Sequence, residues 1–119
     1  AIKNNQQSML KVGSLSYVRD WSFAGDIVNA MALINSYEKN SDFVIGSGIG
    51  TSIKDVLDIA FSHLGLDYKK FVEADQRLLR DGDPEKIISD PKKLKNKLGW
   101  YPHYDVEKLI HRCIDFKIK

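Results

Sequence analysis

From Ile53 to Leu64 the apolar residues Ile53, Val56, Leu57, Ala60, Phe61 and Leu64 recur every three or four positions. That interval is the period of an α-helix and gives it one apolar face. Ser52 and Asp55 form a capping-box pair in front of it. Gly65 behind it can adopt the left-handed conformation that closes a helix. A helix this one-sided cannot stand alone in water, so the rest of the chain has to cover it.

Three more helices are expected. Ala24, Ile27, Val28, Met31 and Ile34 form an apolar stripe, with Ser22 as N-cap and Asp26 in the first turn. This helix should run from Ala24 to about Glu38, and Gly25 costs it about 1 kcal/mol relative to alanine. Asp90-Pro91 is an N-cap followed by the proline favoured at a first helical position. Leu94 and Leu98 then face inward, and Gly99 ends the helix. The last helix starts at Asp105, with Tyr104 and Leu109 spaced as a hydrophobic staple. Val106, Leu109, Ile110 and Cys113 form its buried face, Cys113 as a small core residue.

Short apolar runs lie between these helices. Met9–Val12 and Leu15–Val18, broken by Gly13-Ser14, read as two short strands. Phe43–Ile45, Tyr68–Ala74 and Lys86–Ser89 read as three more. The expected fold class is mixed α/β, with about four helices and several short strands in a single domain over residues 1–119.

The 119 residues are enough for one core, and 43% apolar with 29% charged is an ordinary globular mixture. A net charge of +2 gives no reason to expect nucleic-acid binding. No apolar run is long enough to span a membrane, and the cytoplasm is the default expectation. One cysteine rules out an internal disulfide or a cysteine metal cluster. The chain opens on Ala1 rather than methionine, as a piece of a longer protein would.

Arg19 sits where the second strand gives way to the first helix. Its planar fork of donors suits phosphate oxygens. The alternative is an ordinary surface pair with Asp20. The loop Arg80-Asp81-Gly82-Asp83 carries a second fork, followed three residues later by a carboxylate able to accept both hydroxyls of a ribose. With Arg19 these residues would suit a nucleoside diphosphate.

Other patterns are weaker. Gly46-x-Gly48-x-Gly50 lies between a strand and a helix, the setting of a dinucleotide-binding turn. Its third glycine comes one residue early, and a tight turn needing positive φ explains it equally. Tyr104-x-x-x-Lys108 has the spacing of a catalytic tyrosine–lysine pair, but Tyr104 is already used as a staple. His63, His103 and His111 share no metal-ligand spacing.

Several segments together resemble one family. Arg19-Asp20-Trp21 followed by Ala24, Asp26, Val28 and Ala30-Met31 is similar to a segment of the GDP-mannose 4,6-dehydratases, members of the extended short-chain dehydrogenase/reductases. Asp42-Phe43-Val44-Ile45 with Gly48, Ser52 to Val56, Arg80 with Asp83 and Asp90, and Leu94 with Lys97 to Pro102 resemble later segments in the same order. The family usually has glutamate where Asp83 stands, and Gly-His where Ser22-Phe23 stands.

The resemblance implies the C-terminal, sugar-nucleotide-binding part of a two-part enzyme, without its N-terminal Rossmann domain. It implies that Arg19 and Arg80 contact the diphosphate and Asp83 the ribose. It places the catalytic groups and NADP (or NAD) in the Rossmann domain, so no cofactor is expected on this chain. A nucleotide-diphosphate sugar and that Rossmann domain are the implied partners, with a homo-oligomer through the face left exposed. The alternatives are a domain of another nucleotide-sugar epimerase or dehydratase, or a free-standing binding module of the same fold.

Overall fold

The computed structural model describes residues 1–118. Five strands and four helices follow in order: β1 (Leu10–Val12), β2 (Val18–Asp20), α1 (Ala24–Asn35), β3 (Gly50–Ser52), α2 (Ile53–His63), β4 (Val72–Ala74), β5 (Lys86–Ile87), α3 (Lys92–Leu98) and α4 (Val106–Ile118). Single 3-10 turns occupy Ile2–Asn4, Tyr68–Lys70 and Gln76–Leu78. The architecture is mixed α/β.

The strands form two small sheets. β1 pairs in parallel with β4, Leu10 opposite Val72 and Val12 opposite Ala74. β2 lies at the centre of the second sheet, antiparallel to β3 and parallel to β5. Arg19 has Thr51 on one side and Ile87 on the other.

Two apolar clusters hold the elements together. Leu57 and Phe61 of α2 bury with Tyr68, flanked by Leu10, Leu15, Phe71 and Val72. Ala30 of α1 buries with Leu94 and Trp100, flanked by Ile34, Phe43, Ile45 and Leu98. The body is a slab, 52 × 38 × 17 Å, with a radius of gyration of 17.0 Å. A compact chain of this length would have a radius of about 13–14 Å.

The capping chemistry holds. The Ser52 hydroxyl accepts from the Asp55 N–H at 3.1 Å and donates to its carboxylate at 2.6 Å. Gly65, at φ +70°, closes α2 in a Schellman motif, with Gly65 N–H on Ser62 O and Leu66 N–H on Phe61 O. Asp105 accepts from the Lys108 N–H at 2.8 Å. Pro91 rather than Asp90 is the N-cap of α3, so the proline stands one place before the first helical position; Asp90, outside the helix, still accepts from the Lys92 N–H at 3.1 Å. Gly99 closes α3 at φ +66°.

Other expectations are corrected. Leu15–Tyr17 is not strand; β2 begins at Val18 and contains both Arg19 and Asp20. Ser22 does not cap α1, because its hydroxyl turns back to Asp20 at 3.4 Å and Phe23 takes the cap position. α1 ends at Asn35, short of Glu38, and its inward face is centred on Asp26 and Ala30, leaving Val28 and Met31 exposed.

Phe43–Ile45 pairs with no strand among the described residues; Phe43 and Ile45 pack on the Ala30 cluster while Val44 faces out. The pairing strand is instead β3, at the end of the glycine-rich turn. Gly50 is required there, since a Cβ would run into Ile88 and Val18. Tyr68–Lys70 is a 3-10 turn, so β4 starts only at Val72. Cys113 is exposed, because α4 turns Leu109, Ile110 and Ile114 inward instead. Tyr104 packs on Phe23, ring centroids 4.3 Å apart and planes tilted by 32°.

Candidate functional site

Alternation along β2 sends neighbouring side chains to opposite faces of the sheet. Arg19 and the residue two before it, Tyr17, share one face. Asp20 points to the other. The RD pair is therefore not an ion pair but two separate sites back to back.

On the Asp20 side, three chain segments meet at one carboxylate. Ser47 N–H donates at 3.1 Å, Gly48 N–H at 2.9 Å and Ser89 N–H at 3.3 Å. The hydroxyls of Ser47, Ser89 and Ser22 donate as well. Burial alone would raise the Asp20 pKa, but the bonds from Ser47, Ser89 and Gly48 outweigh it and hold the carboxyl below its ordinary range. The glycine-rich turn thus does cradle an anion, and that anion belongs to the protein. Gly48 supplies positive φ (+77°), and Gly46 has no room for a Cβ against Ser89.

On the Arg19 side lies a cavity of about 370 Å³ lined by Lys11, Tyr17, Arg19, Arg80 and Asp83 among others. That volume lies within the usual range for small-molecule sites, about 300–1,000 Å³. Arg19 and Arg80, 61 residues apart in sequence, reach the same hollow by different routes. β2 carries Arg19. Arg80 and Asp83 are the two ends of a tight turn in which Asp83 N–H donates to Arg80 O at 3.2 Å and Gly82 takes φ +76°. Positive φ at the third turn position is what a type II turn demands, and glycine supplies it. The three-residue spacing of Arg80 and Asp83 thus becomes side-by-side placement.

Arg19 is heavily constrained. Its Nη1 donates to Val18 O at 2.9 Å and to Glu85 O at 3.3 Å; its Nη2 donates to Asp83 Oδ1 at 2.9 Å. Its guanidinium lies over the Tyr17 ring, 5.4 Å from the centroid. Arg80 has no ion-pair partner among the described residues. Arg77 is close in sequence but pairs with Asp75, at 2.7 and 2.9 Å, and does not line the hollow. The hollow therefore offers three cations, Lys11, Arg19 and Arg80, against one carboxylate that already occupies part of Arg19.

Lys11 and Tyr17 are missing from the site residues expected from sequence. Tyr17 was legible in principle, as the same-face neighbour two positions before Arg19. Lys11 arrives through the β1–β4 pair, where it faces Glu73 at 4.0 Å.

A second carboxylate, Asp26, is 2% exposed and accepts the backbone N–H groups of His103 and Tyr104, each at 3.0 Å. It clasps the start of α1 to the segment before α4. Tyr104 and Lys108 make no pair: the Tyr104 hydroxyl accepts from Arg112 at 2.9 Å, and Lys108 faces Asp105 at 3.8 Å. A larger open trough of about 1090 Å³ beside α4, walled by Phe23, Tyr104, Arg112 and Phe116, shares no lining residue with the arginine hollow. No cluster of three metal-binding side chains occurs among the described residues, and no helix there is long and apolar enough to cross a membrane.

Comparison with known proteins bears on the family and the fold. The chain is 40% identical over 114 residues to GDP-mannose 4,6 dehydratase 2 of Arabidopsis thaliana, covering 96% of this chain and 31% of that protein. It spans about a third of the length of such relatives. RMD from Pseudomonas aeruginosa, solved with NADPH, superposes with a TM-score of 0.83 at 16% identity, over 96% of this chain and 37% of that one. The UDP-glucose 4-epimerase of Thermotoga maritima, solved with UDP-glucose, superposes with a TM-score of 0.77 at 27% identity, over 93% and 36%. The family model for GDP-mannose 4,6 dehydratase matches residues 1–113, from before β1 into α4, and the chain belongs to that family.

Proposed function

We propose that the chain is the nucleotide-sugar-binding part of a GDP-mannose 4,6-dehydratase, and that the arginine hollow takes the diphosphate. The observation that carries this reading is the convergence of Arg19 and Arg80 on one cavity, with Lys11 as a third cation. Two guanidinium groups match the charge and the planar oxygen geometry of a pyrophosphate. Asp83 then has two positions, paired with Arg19 without ligand and turned to the ribose hydroxyls with it.

The parent reaction is conversion of GDP-mannose to GDP-4-keto-6-deoxymannose with loss of water, using NADP. The groups of this chain do not fit that cofactor. The amides of the glycine-rich turn already bond Asp20, and Gly50 is walled in by Ile88 and Val18. The cofactor and the reacting groups belong, on this reading, to the part of the relatives that this chain does not match. This chain binds and orients the substrate.

A face is ready to meet that part. α1 exposes Val28 (61%) and Met31 (57%) side by side, three residues apart. The buried indole N–H of Trp100, beneath the same region, has no acceptor among the described residues. An apolar face of this kind buries on association at about 25 cal/mol per Å². Without its Rossmann partner the face should instead drive self-association, read as a concentration-dependent sedimentation coefficient.

Calorimetry with GDP-mannose, UDP-glucose and dTDP-glucose tests the substrate reading. Preference for the GDP sugar supports it. Preference for a UDP or dTDP sugar favours the second reading, a domain of another nucleotide-sugar enzyme, to which the epimerase likeness points. Binding of none of the three overturns both.

A further inference from the structure

The geometry points to Tyr17 as a positioning residue for Arg19, a role that rests on the diphosphate reading of the hollow. Tyr17 lies just before β2, and its carbonyl accepts the Ile53 N–H at 3.0 Å, which extends the β2–β3 ladder by one residue. Strand geometry thereby fixes the direction of its side chain, on the same face as Arg19. The ring is half-buried and lines the cavity. Arg19 lies over it at 5.4 Å, inside the roughly 6 Å range of cation–π attraction.

The other contacts of Arg19 hold one end of its guanidinium. Val18 O, Glu85 O and Asp83 Oδ1 hold three of its N–H groups. An arginine has five, so two remain for a ligand. The partly exposed bond to Asp83 is the one a ligand displaces, and without it the Nη2 side of the fork can swing, a motion a phosphate would have to freeze on binding. The ring beneath removes that freedom beforehand, so the two remaining donors are already aimed. The π face does this work; the hydroxyl is not required.

Three variants and one spectrum test the assignment, with inorganic pyrophosphate as probe. Y17F keeps the ring and should bind within twofold of wild type. Y17L keeps the apolar bulk without the ring and should bind about threefold more weakly, the size expected of one partly exposed cation–π contact. Y17A should be no better than Y17L. Circular dichroism confirms that each variant is folded. Equal affinity of Y17L and wild type overturns the inference, as does equal weakening of Y17F and Y17L, which would assign the effect to the hydroxyl.

The spectrum is independent of any ligand. In wild type the Arg19 side-chain protons should show an upfield ring-current shift that Arg77, which lies over no aromatic ring among the described residues, lacks. The shift should persist in Y17F. If wild type fails to bind pyrophosphate, the diphosphate reading falls while a ring-current shift still upholds the Tyr17–Arg19 contact. Absence of the shift in wild type sinks the positioning role whatever the binding result.

Discussion

The two faces of β2 hold the same kind of chemistry in opposite states. On one face a carboxylate, Asp20, is surrounded by donors from two other segments, the glycine-rich turn and Ser89. On the other an arginine looks into a hollow where cations outnumber carboxylates. The first site is closed and balanced, and its work is to hold the chain together. The second is open and unbalanced, and an excess of one charge in a cavity is what attracts a ligand. One residue step along a strand separates the structural anion from the candidate anion site.

The largest expected effect breaks the closed side. Replacing Asp20 by alanine takes the acceptor from the part-buried N–H groups of Ser47 and Ser89 and from the exposed N–H of Gly48 together; an orphaned buried donor costs about 1–3 kcal/mol, and the exposed one less. D20A should lose several kcal/mol in urea unfolding, a large part of the about 5–15 kcal/mol available to a domain. A loss below about 1 kcal/mol would mean that the closed side is not what holds the three segments.

Next come the arginines. R19M and R80M should each weaken pyrophosphate binding about tenfold or more, since hydrogen bonds to charged groups are worth about 1.5–3 kcal/mol. R80M should unfold within about 1 kcal/mol of wild type, because Arg80 has no ion-pair partner among the described residues. R19M should cost more, because it gives up the bonds to Val18 O, Glu85 O and Asp83, but less than D20A. If R19M loses stability on the scale of D20A, the contrast between the two faces fails.

Acid sharpens it further. The Asp20 carboxyl is held below its ordinary value in the folded state. Its stabilisation is therefore complete above the unfolded pKa of about 3.9 and is lost as pH falls through the lower folded value. The stability gap between wild type and D20N should stay constant from neutral pH to about 4 and close below that. A gap unchanged down to pH 2 would sink the account.

The smallest effect concerns Asp83. Its bond to Arg19 is partly exposed, with side chains 24% and 35% accessible, so it is weak. D83N should tighten pyrophosphate binding about twofold to threefold, because a competing anion is removed. The same variant should weaken GDP relative to pyrophosphate, since the ribose acceptor is lost. Titrating both ligands against both proteins separates the two effects.

Much of the helical framework was legible in the sequence. Ser52, Gly65, Gly99 and Asp105 act at helix ends through local bonds, and local bonds follow from neighbouring residues alone. Strands were less legible because pairing is decided elsewhere. Phe43–Ile45 has strand composition but no partner among the described residues, while Gly50–Ser52, which opens on a glycine and lacks a large apolar residue, pairs because β2 lies against it. Arg19 and Arg80 were nameable as cations. That they share one hollow is set by the 80–83 turn and the sheet register, neither of which a linear pattern displays. The Arg19–Asp83 bond and the support from Tyr17 are tertiary in the same way.

The thickness of the slab has a consequence for how this body breathes. At 17 Å through, no backbone amide is far from bulk water. Deuterium should enter most of the chain quickly, with slow exchange confined to α2 and the centre of β2. Heat should melt such a sheet-like body over a broad interval rather than at a sharp point, and clamping it against a second layer should narrow that interval.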